Sequence, residues 1–289
     1  MKVAVLGANG QLGTDLVEHF AACGDQVTAL THREVEVEEA DSVRRGLAAA
    51  APQAVINCAA FHHLARCEED PRRAFAVNAV GALHVARTAR ELGAVVVYVS
   101  TDYVFDGESD RPYTESSCPR PLSVYGASKL AGEQLTFAAA ERSYVVRVSG
   151  IYGRVPSRAK GDNFVTMIVR RAREQSEVRV VDDETLAPTP TSEIAVALRG
   201  LLRSGAASGT YHVACAGSCS WYEFARAVFD ELGLATPLRR ARSAEFPGPA
   251  RRPAYSALDS GKLVAAGLPP LSHWRDALAA FLRHEGGDA

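Results

Sequence analysis

The sequence predicts an α/β fold: a doubly wound parallel sheet with a smaller C-terminal lobe. Three observations carry that expectation. A short apolar run, Val3-Ala4-Val5-Leu6, ends directly on a glycine-rich turn, Gly7-Ala8-Asn9-Gly10-Gln11-Leu12-Gly13. Apolar runs of strand length then alternate with stretches of helical period to about residue 150. Beyond that point the alternation loosens into shorter elements interrupted by proline and arginine.

Taken in order, Val3–Leu6 suits a strand buried on both faces. Helical spacing follows from Leu12 through Leu16 to Phe20, and further strands fit Gln26–Leu30 and Ala54–Asn57. A long helical pattern runs from Pro71 to Leu92, ahead of the β-branched run Ala94–Val99. A helix over 124–141 and a strand over Tyr144–Val148 complete the alternation, which implies parallel pairing through right-handed crossovers. The C-terminal part predicts helices at 162–174, 192–203, 220–233 and 272–284, short strands near 178–181 and 210–213, and an irregular segment over 236–270. The expected division is a dinucleotide-binding, Rossmann-type domain over 1–150 and a mainly substrate-binding lobe over 151–289. Between them lies a cleft at the carboxyl ends of the strands, where open α/β sheets hold their ligands.

Composition narrows the function classes. At 289 residues, 47% hydrophobic and 23% charged, the chain can bury a sizeable core. A net charge of -2 argues against a nucleic-acid-binding surface; the short cluster Pro249-Ala250-Arg251-Arg252-Pro253 suits one anionic group instead. There is no apolar run of membrane-spanning length, and MKVAVLGANG turns glycine-rich too early for a signal peptide, so no membrane association is expected. The six cysteines form no C-x-x-C pair; Cys215 and Cys219 lack finger-like partners, so no metal site is expected. Free cysteines point to a cytoplasmic location.

The glycine turn has the spacing G-x-x-G-x-x-G. Gly7, Gly10 and Gly13 let the backbone turn sharply and approach a pyrophosphate, while the following helix, starting near Gln11 and Leu12, offers N–H groups and a positive dipole end. A dinucleotide is the expected ligand. The second strand ends Ala29-Leu30-Thr31-His32-Arg33 with no carboxylate before Glu34, so Arg33 is the candidate partner of a 2′-phosphate. That favours NADP(H), with NAD(H) as the alternative.

Ser100-Thr101-Asp102-Tyr103 follows a central strand, at the cleft end. Tyr125 and Lys129 are four residues apart and share one helix face. A phenol titrates near ~10, and a nearby ammonium would lower that value and ready the tyrosine for proton transfer. Thr101 would polarise a substrate carbonyl, and Lys129 would also bond the nicotinamide ribose.

The glycine loop, Asn57-Cys58-Ala59-Ala60 and the Tyr125/Lys129 pair together resemble an extended short-chain dehydrogenase/reductase. STDYVFDGESDRPYTE (100–115), followed by PLSVYGASKLAGE (121–133), resembles the dTDP-4-dehydrorhamnose reductase family more narrowly. Arg147-Val148-Ser149, Tyr152-Gly153, Asn163-Phe164, Ala187-Pro188-Thr189 and Arg252 through Leu258 extend the likeness over nearly the whole chain. The resemblance implies NAD(P)H-dependent reduction of the 4-keto group of a nucleotide-linked 6-deoxyhexose, dTDP-4-dehydro-L-rhamnose giving dTDP-L-rhamnose. It implies Thr101, Tyr125 and Lys129 as the catalytic set and Gly10, Gln11 and Leu12 at the pyrophosphate. Glu36 and Val37 would lie at the adenine, and Ala59, Ala60, Phe61 and His62 at the cofactor's middle. Asp102 would face the sugar, with Asn163 and Arg252 toward the substrate's nucleotide. The implied partner is a small nucleotide sugar; a homodimer is compatible with the chain.

Three segments depart from the family pattern. Gly150 stands where the family motif has tryptophan. Asp183-Glu184-Thr185-Leu186 replaces Asp-Gln-x-Gly, and Phe61-His62-His63-Leu64-Ala65 replaces Tyr-Thr-x-Val-Asp. All three are expected on the substrate side. They leave a reductase or epimerase for another nucleotide sugar as one alternative, and a non-catalytic subunit resembling that of methionine adenosyltransferase as another. Dehydration is disfavoured because Tyr103, not glutamate, follows Asp102. His62 and His63 read as loop or substrate contacts, Glu68-Glu69-Asp70 as an acidic helix start, and Trp221 and Trp274 as packing residues.

Overall fold

The computed structural model describes residues 1–156 and 161–285. The first half alternates β1 (Lys2–Leu6), α1 (Gln11–Ala22), β2 (Gln26–Leu30), α2 (Ala40–Ala50) and β3 (Ala54–Asn57). Then come α3 (Leu64–Glu69), α4 (Pro71–Phe75), a π-helical turn over Ala76–Val80, α5 (Gly81–Glu91), β4 (Val95–Thr101), α6 (Val124–Ala139) and β5 (Ser143–Val148). The second half adds β6 (Ile151–Tyr152), α7 (Phe164–Glu174), β7 (Val178–Val181), β8 (Thr185–Leu186), β9 (Thr189–Pro190) and α8 (Thr191–Arg203). It continues with β10 (Gly209–His212), β11 (Cys219–Ser220), α9 (Trp221–Leu232), β12 (Leu238–Ala241), α10 (Gly261–Ala265) and α11 (Trp274–Glu285).

Six strands form one sheet in the order β10-β5-β4-β3-β1-β2, every neighbouring pair parallel. This is the expected Rossmann-type sheet, and β10 brings a segment of the second half back to its edge. Alternate residues of β1 serve opposite faces, as a pleated strand requires. Val3 and Val5 pack with Leu12, Leu16 and Phe20 of α1 and Leu198 of α8. Ala4 and Leu6 pack with Val43 and Leu47 of α2 and Val85 of α5. The lobe has its own core, in which Ile168, Val180, Phe224, Val228, Trp274 and Leu278 meet around the parallel pair β7–β12. Among the described residues no helix is long and apolar enough to cross a membrane.

Several expectations need correction. The helix expected over 71–92 is broken by the π-helical turn Ala76–Val80, which holds Asn78 in a fully buried position. Asn78 Oδ1 accepts from the Phe61 N–H at 2.8 Å, and its Nδ2 donates to Phe61 O and Ser128 Oγ, both at 2.9 Å. These bonds tie the loop after β3 to α6, and the wider turn is what aims the amide between them. Helix α2 escapes prediction because only Val43 and Leu47 of its eleven residues are buried, too narrow a stripe to stand out. The segment 236–270 contains β12, an arginine-rich run paired on β7, and the short helix α10. Glu68 and Glu69 end α3 rather than begin a helix, while Asp70 caps α4 by accepting from the Arg73 N–H at 2.9 Å.

Candidate active site

The glycine turn is built for close approach. Gly7 sits at φ +74°, and its N–H, with that of Ala8, donates to Leu30 O at 2.9 and 3.2 Å, pinning the loop to the end of β2. A Cβ on Gly13 would run into the Gly7 carbonyl oxygen and the Ala8 backbone, so α1 can start against the loop only with glycine there. The N-cap of α1 is Gly10, which has no side chain to bond the first-turn N–H groups. Gln11 Oε1 is buried beside this turn and has no hydrogen-bond partner among the described residues. These features fit the diphosphate of a dinucleotide.

A cleft of about 1120 Å³ opens from this loop across the carboxyl ends of the strands to the lobe. Gly7 and the run Gly10 to Gly13 line one end, with Glu36 and Val37 alongside; Ala59, Ala60 and Phe61 follow. Thr101, Asp102, Tyr125 and Lys129 stand in the middle, and Asn163 and Arg252 at the lobe side. Arg33 alone of the expected site residues is not on the lining; its neighbours His32 and Val35 are. The carboxylate of Glu34 accepts from the Thr31 N–H and hydroxyl at 2.8 and 2.5 Å, closing the turn after β2 on itself.

Tyr125 and Lys129 are placed by the start of α6. Ser123 caps the helix by accepting from the Gly126 N–H at 3.2 Å, and Glu68 reaches from α3 to accept from the Val124 N–H at 2.9 Å. The Tyr125 phenol stands with the Thr101 side chain on the lining of the cleft, near enough for Thr101 to act on its ionisation. Lys129 is 2% exposed, donates from Nζ to Val99 O at 2.6 Å and lies 4.0 Å from the centroid of the Tyr98 ring. Burial lowers its pKa to about 7, against the pull of Glu133 in the opposite direction.

The expected tuning of the phenol by the ammonium is not what this site does. Burial raises the Tyr125 pKa, the nearby Thr101 side chain opposes the rise, and Asp102 adds to it. Both groups are withdrawn from water, so each is pushed toward its neutral form.

Asp102, expected to face the sugar, turns its carboxylate inward. Oδ1 accepts from Thr101 Oγ1 at 3.0 Å, and Oδ2 accepts from Ser149 Oγ at 2.9 Å and Ser256 Oγ at 2.6 Å. It thereby joins the ends of β4 and β5 to the loop at 256 from the lobe side; burial raises its pKa despite the three hydroxyls. Asn163 is likewise engaged: it caps α7 and donates from Nδ2 to Gly153 O at 2.7 Å. Arg252 is half exposed, 3.9 Å from Glu184 Oε2, with its guanidinium at the cleft.

Other lining residues escape sequence reasoning. Trp221, expected as packing, lies on the wall with its ring centroid 4.5 Å from that of Phe164. Trp274 is buried in the lobe core as expected. His63 caps α3 through its ring, accepting from the Arg66 N–H at 3.4 Å. Glu184 is a buried carboxyl on the wall whose pKa is raised by burial. Behind the centre, Glu133 accepts from Ser100 Oγ at 2.5 Å and from Arg147 Nε and Nη2 at 2.9 and 2.6 Å.

The parallel sheet, the glycine turn and a cleft holding a hydroxyl, a phenol and a buried ammonium define a Rossmann-type oxidoreductase of the extended short-chain class. A family model described as the RmlD substrate binding domain matches residues 1–286, and the chain belongs to that family. It is 40% identical over 287 residues to a dTDP-4-dehydrorhamnose reductase of Mycobacterium tuberculosis, covering 97% of this chain and 92% of that one. It is 37% identical over 277 residues to a dTDP-4-keto-6-deoxy-D-glucose reductase of Streptomyces niveus, covering 95% and 94%. The crystal structure of a dTDP-4-dehydrorhamnose reductase from Bacillus anthracis in complex with NADP superposes with a TM-score of 0.93 at 33% identity, over 98% of this chain and all of that one.

Proposed function

We propose that the protein is an NAD(P)H-dependent ketoreductase acting on the 4-keto group of a dTDP-linked 6-deoxyhexose, with dTDP-4-dehydro-L-rhamnose the leading substrate. One observation carries the reading: the phosphate-binding turn and the side chains of Thr101, Tyr125 and Lys129 line a single cleft. The retained phenol and buried ammonium weigh against a purely non-catalytic subunit.

Reduction adds a hydride to C4 and a proton to O4. When bound, the reduced nicotinamide supplies the hydride. The chain's own part is the proton. The Thr101 hydroxyl turns its one proton from Asp102 to the carbonyl oxygen, and the Tyr125 phenol, protonated through the neutral range, gives its proton to that oxygen as charge develops. Lys129 stands on the same wall, held by the Val99 carbonyl and the Tyr98 ring, where its ammonium would bond the nicotinamide ribose. Asp102 orients Thr101 from behind and is a positioning residue.

Residues 1–150 would hold the cofactor and 151–289 mainly the sugar nucleotide, with Arg252 and the Phe164–Trp221 pair nearest to its diphosphate and base. NADPH is the favoured reductant, since Glu34, the first carboxylate after β2, is committed to Thr31. Arg33 would then meet the 2′-phosphate from the turn beside the lining. All six cysteines are free, which suits a reducing cytoplasm.

The test is NADPH oxidation, followed by absorbance, with enzymatically made dTDP-4-dehydro-L-rhamnose, repeated with NADH. Turnover of ~1 s⁻¹ or more is expected. The absence of oxidation in the presence of bound NADPH would remove this sugar as substrate. Arg33→Ala should raise the KM for NADPH more than that for NADH; equal changes would return Arg33 to solvent.

A further inference from the structure

The cleft wall just beyond the end of β5 contains an arrangement that neither the cofactor site nor the proton relay uses. Gly150 follows β5 with φ +52°, in the left-handed region. A Cβ built there would collide with Leu186 Cδ1 and lie 3.3 Å from Pro188 Cα. Leu186 is 3% exposed, and both residues line the cleft. The isobutyl group therefore sits where a side chain at 150 would project.

Both residues are fixed relative to the reacting end of the cleft. Ser149, next to Gly150, donates to Asp102 and accepts from the Ala187 N–H at 3.2 Å. Thr185, next to Leu186, accepts from the Ser256 N–H at 2.7 Å, and Ser256 Oγ donates to the same Asp102 carboxylate. Asp102 in turn holds Thr101. A change of size at 150 or 186 is thus felt one residue away from the hub that orients the catalytic hydroxyl.

We propose that Gly150 and Leu186 form one coupled wall of the substrate half of the cleft, and that Leu186 selects keto-sugars presenting an apolar edge, the C6 methyl of a 6-deoxyhexose. An aliphatic group makes good contact with a methyl but offers no hydrogen bond to a hydroxyl, and a buried hydroxyl without a partner is penalised. The selectivity rests on the reductase reading above; the coupling of the two residues does not.

The experiment is a double-mutant cycle with Gly150→Ala, Leu186→Ala and the double variant, read in two ways. Urea unfolding of each variant reports the packing. Values of kcat/KM on dTDP-4-dehydro-6-deoxyhexose and on its C6-hydroxyl analogue report selectivity. Gly150→Ala should destabilise strongly, and Leu186→Ala should suppress much of that cost, because the atom in the way is gone. Leu186→Ala should lower kcat/KM on the 6-deoxy sugar by about tenfold and on the hydroxylated analogue by much less, the scale of a few methylenes in an apolar pocket. Additive destabilisation would overturn the coupling, and equal losses on both sugars would reduce Leu186 to packing. If the wild-type protein reduces neither sugar, the reductase reading and the selectivity fall together. The unfolding cycle then decides the coupled wall by itself.

Discussion

Lys129 donates to the Val99 carbonyl at 2.6 Å while lying 4.0 Å from the Tyr98 ring centroid, a cation held by one backbone oxygen and one aromatic face. That geometry has a cost. Burial lowers the folded-state pKa from 10.5 to about 7. Between those values the unfolded chain binds the extra proton, so stability rises with pH across the window and the penalty is complete below about 7. Lys129→Met should therefore raise the unfolding midpoint at pH 6 and do so less at pH 9, while abolishing turnover. The pKa shift bounds the gain at ~5 kcal/mol, reduced by the lost Val99 bond. Urea titrations at the two pH values check it; destabilisation at pH 6 would contradict it.

The same pKa predicts the pH dependence of catalysis. In the free enzyme the Tyr125 phenol stays protonated through neutral pH because burial raises its pKa, whereas Lys129 loses its proton near 7. The kcat/KM for the keto-sugar should fall above about pH 7 in a single limb, with no second limb from Tyr125 below its ordinary range near ~10. Lys129→Arg keeps its charge at all these pH values, so whatever activity it retains should lack the limb.

Tyr125→Phe isolates the proton. It removes the hydroxyl and leaves the ring, so NADPH binding should be retained while kcat falls by ~10²-fold or more. Fluorescence titration with NADPH alongside steady-state rates separates the two; unchanged turnover would dismiss the role given to the phenol.

Glu133 and Arg147 form a buried pair, 1% and 4% exposed, behind the reaction centre. Glu133→Ala leaves the guanidinium without its partner in a dry site and should cost about 3–5 kcal/mol. Replacing both by apolar residues of similar volume should cost much less. Urea midpoints of the single and double variants decide this; equal losses would mean that packing, not charge, matters there.

Asp102 is predicted to act through Thr101. Asp102→Asn keeps an acceptor for some of the three hydroxyls, whereas Asp102→Ala strands them all, at about 1–3 kcal/mol for each buried group left unsatisfied. Alanine should lower both stability and kcat, and asparagine should restore most of the stability.

How much of this is legible in the sequence depends on how local the cause is. The central strands are buried on both faces, so β1, β3, β4 and β5 appear as apolar runs that need no tertiary knowledge. The glycine turn and the Tyr125/Lys129 spacing are equally local, since one loop and one helical turn produce them. Asn78 is invisible because its importance comes from bonds to Phe61 and Ser128, 17 and 50 residues away. The inward turn of Asp102 depends on Ser149 and Ser256 arriving from other elements. The raised phenol pKa was likewise out of reach: spacing shows that Lys129 is near Tyr125, but only burial decides which direction each group is pushed. Gly150 and Leu186 look like unrelated departures until the fold sets one over the other.

By this mechanism the cleft delivers a hydride to the C4 carbon of a keto-sugar and a proton to its oxygen. The most direct measurement uses NADPH carrying deuterium at the transferable position of its nicotinamide, with dTDP-4-dehydro-L-rhamnose, and NMR of the isolated sugar nucleotide. Deuterium at C4 of dTDP-L-rhamnose, with the rate sharply reduced in Tyr125→Phe, is the predicted result. Unreduced ketone from folded, NADPH-binding protein would contradict it.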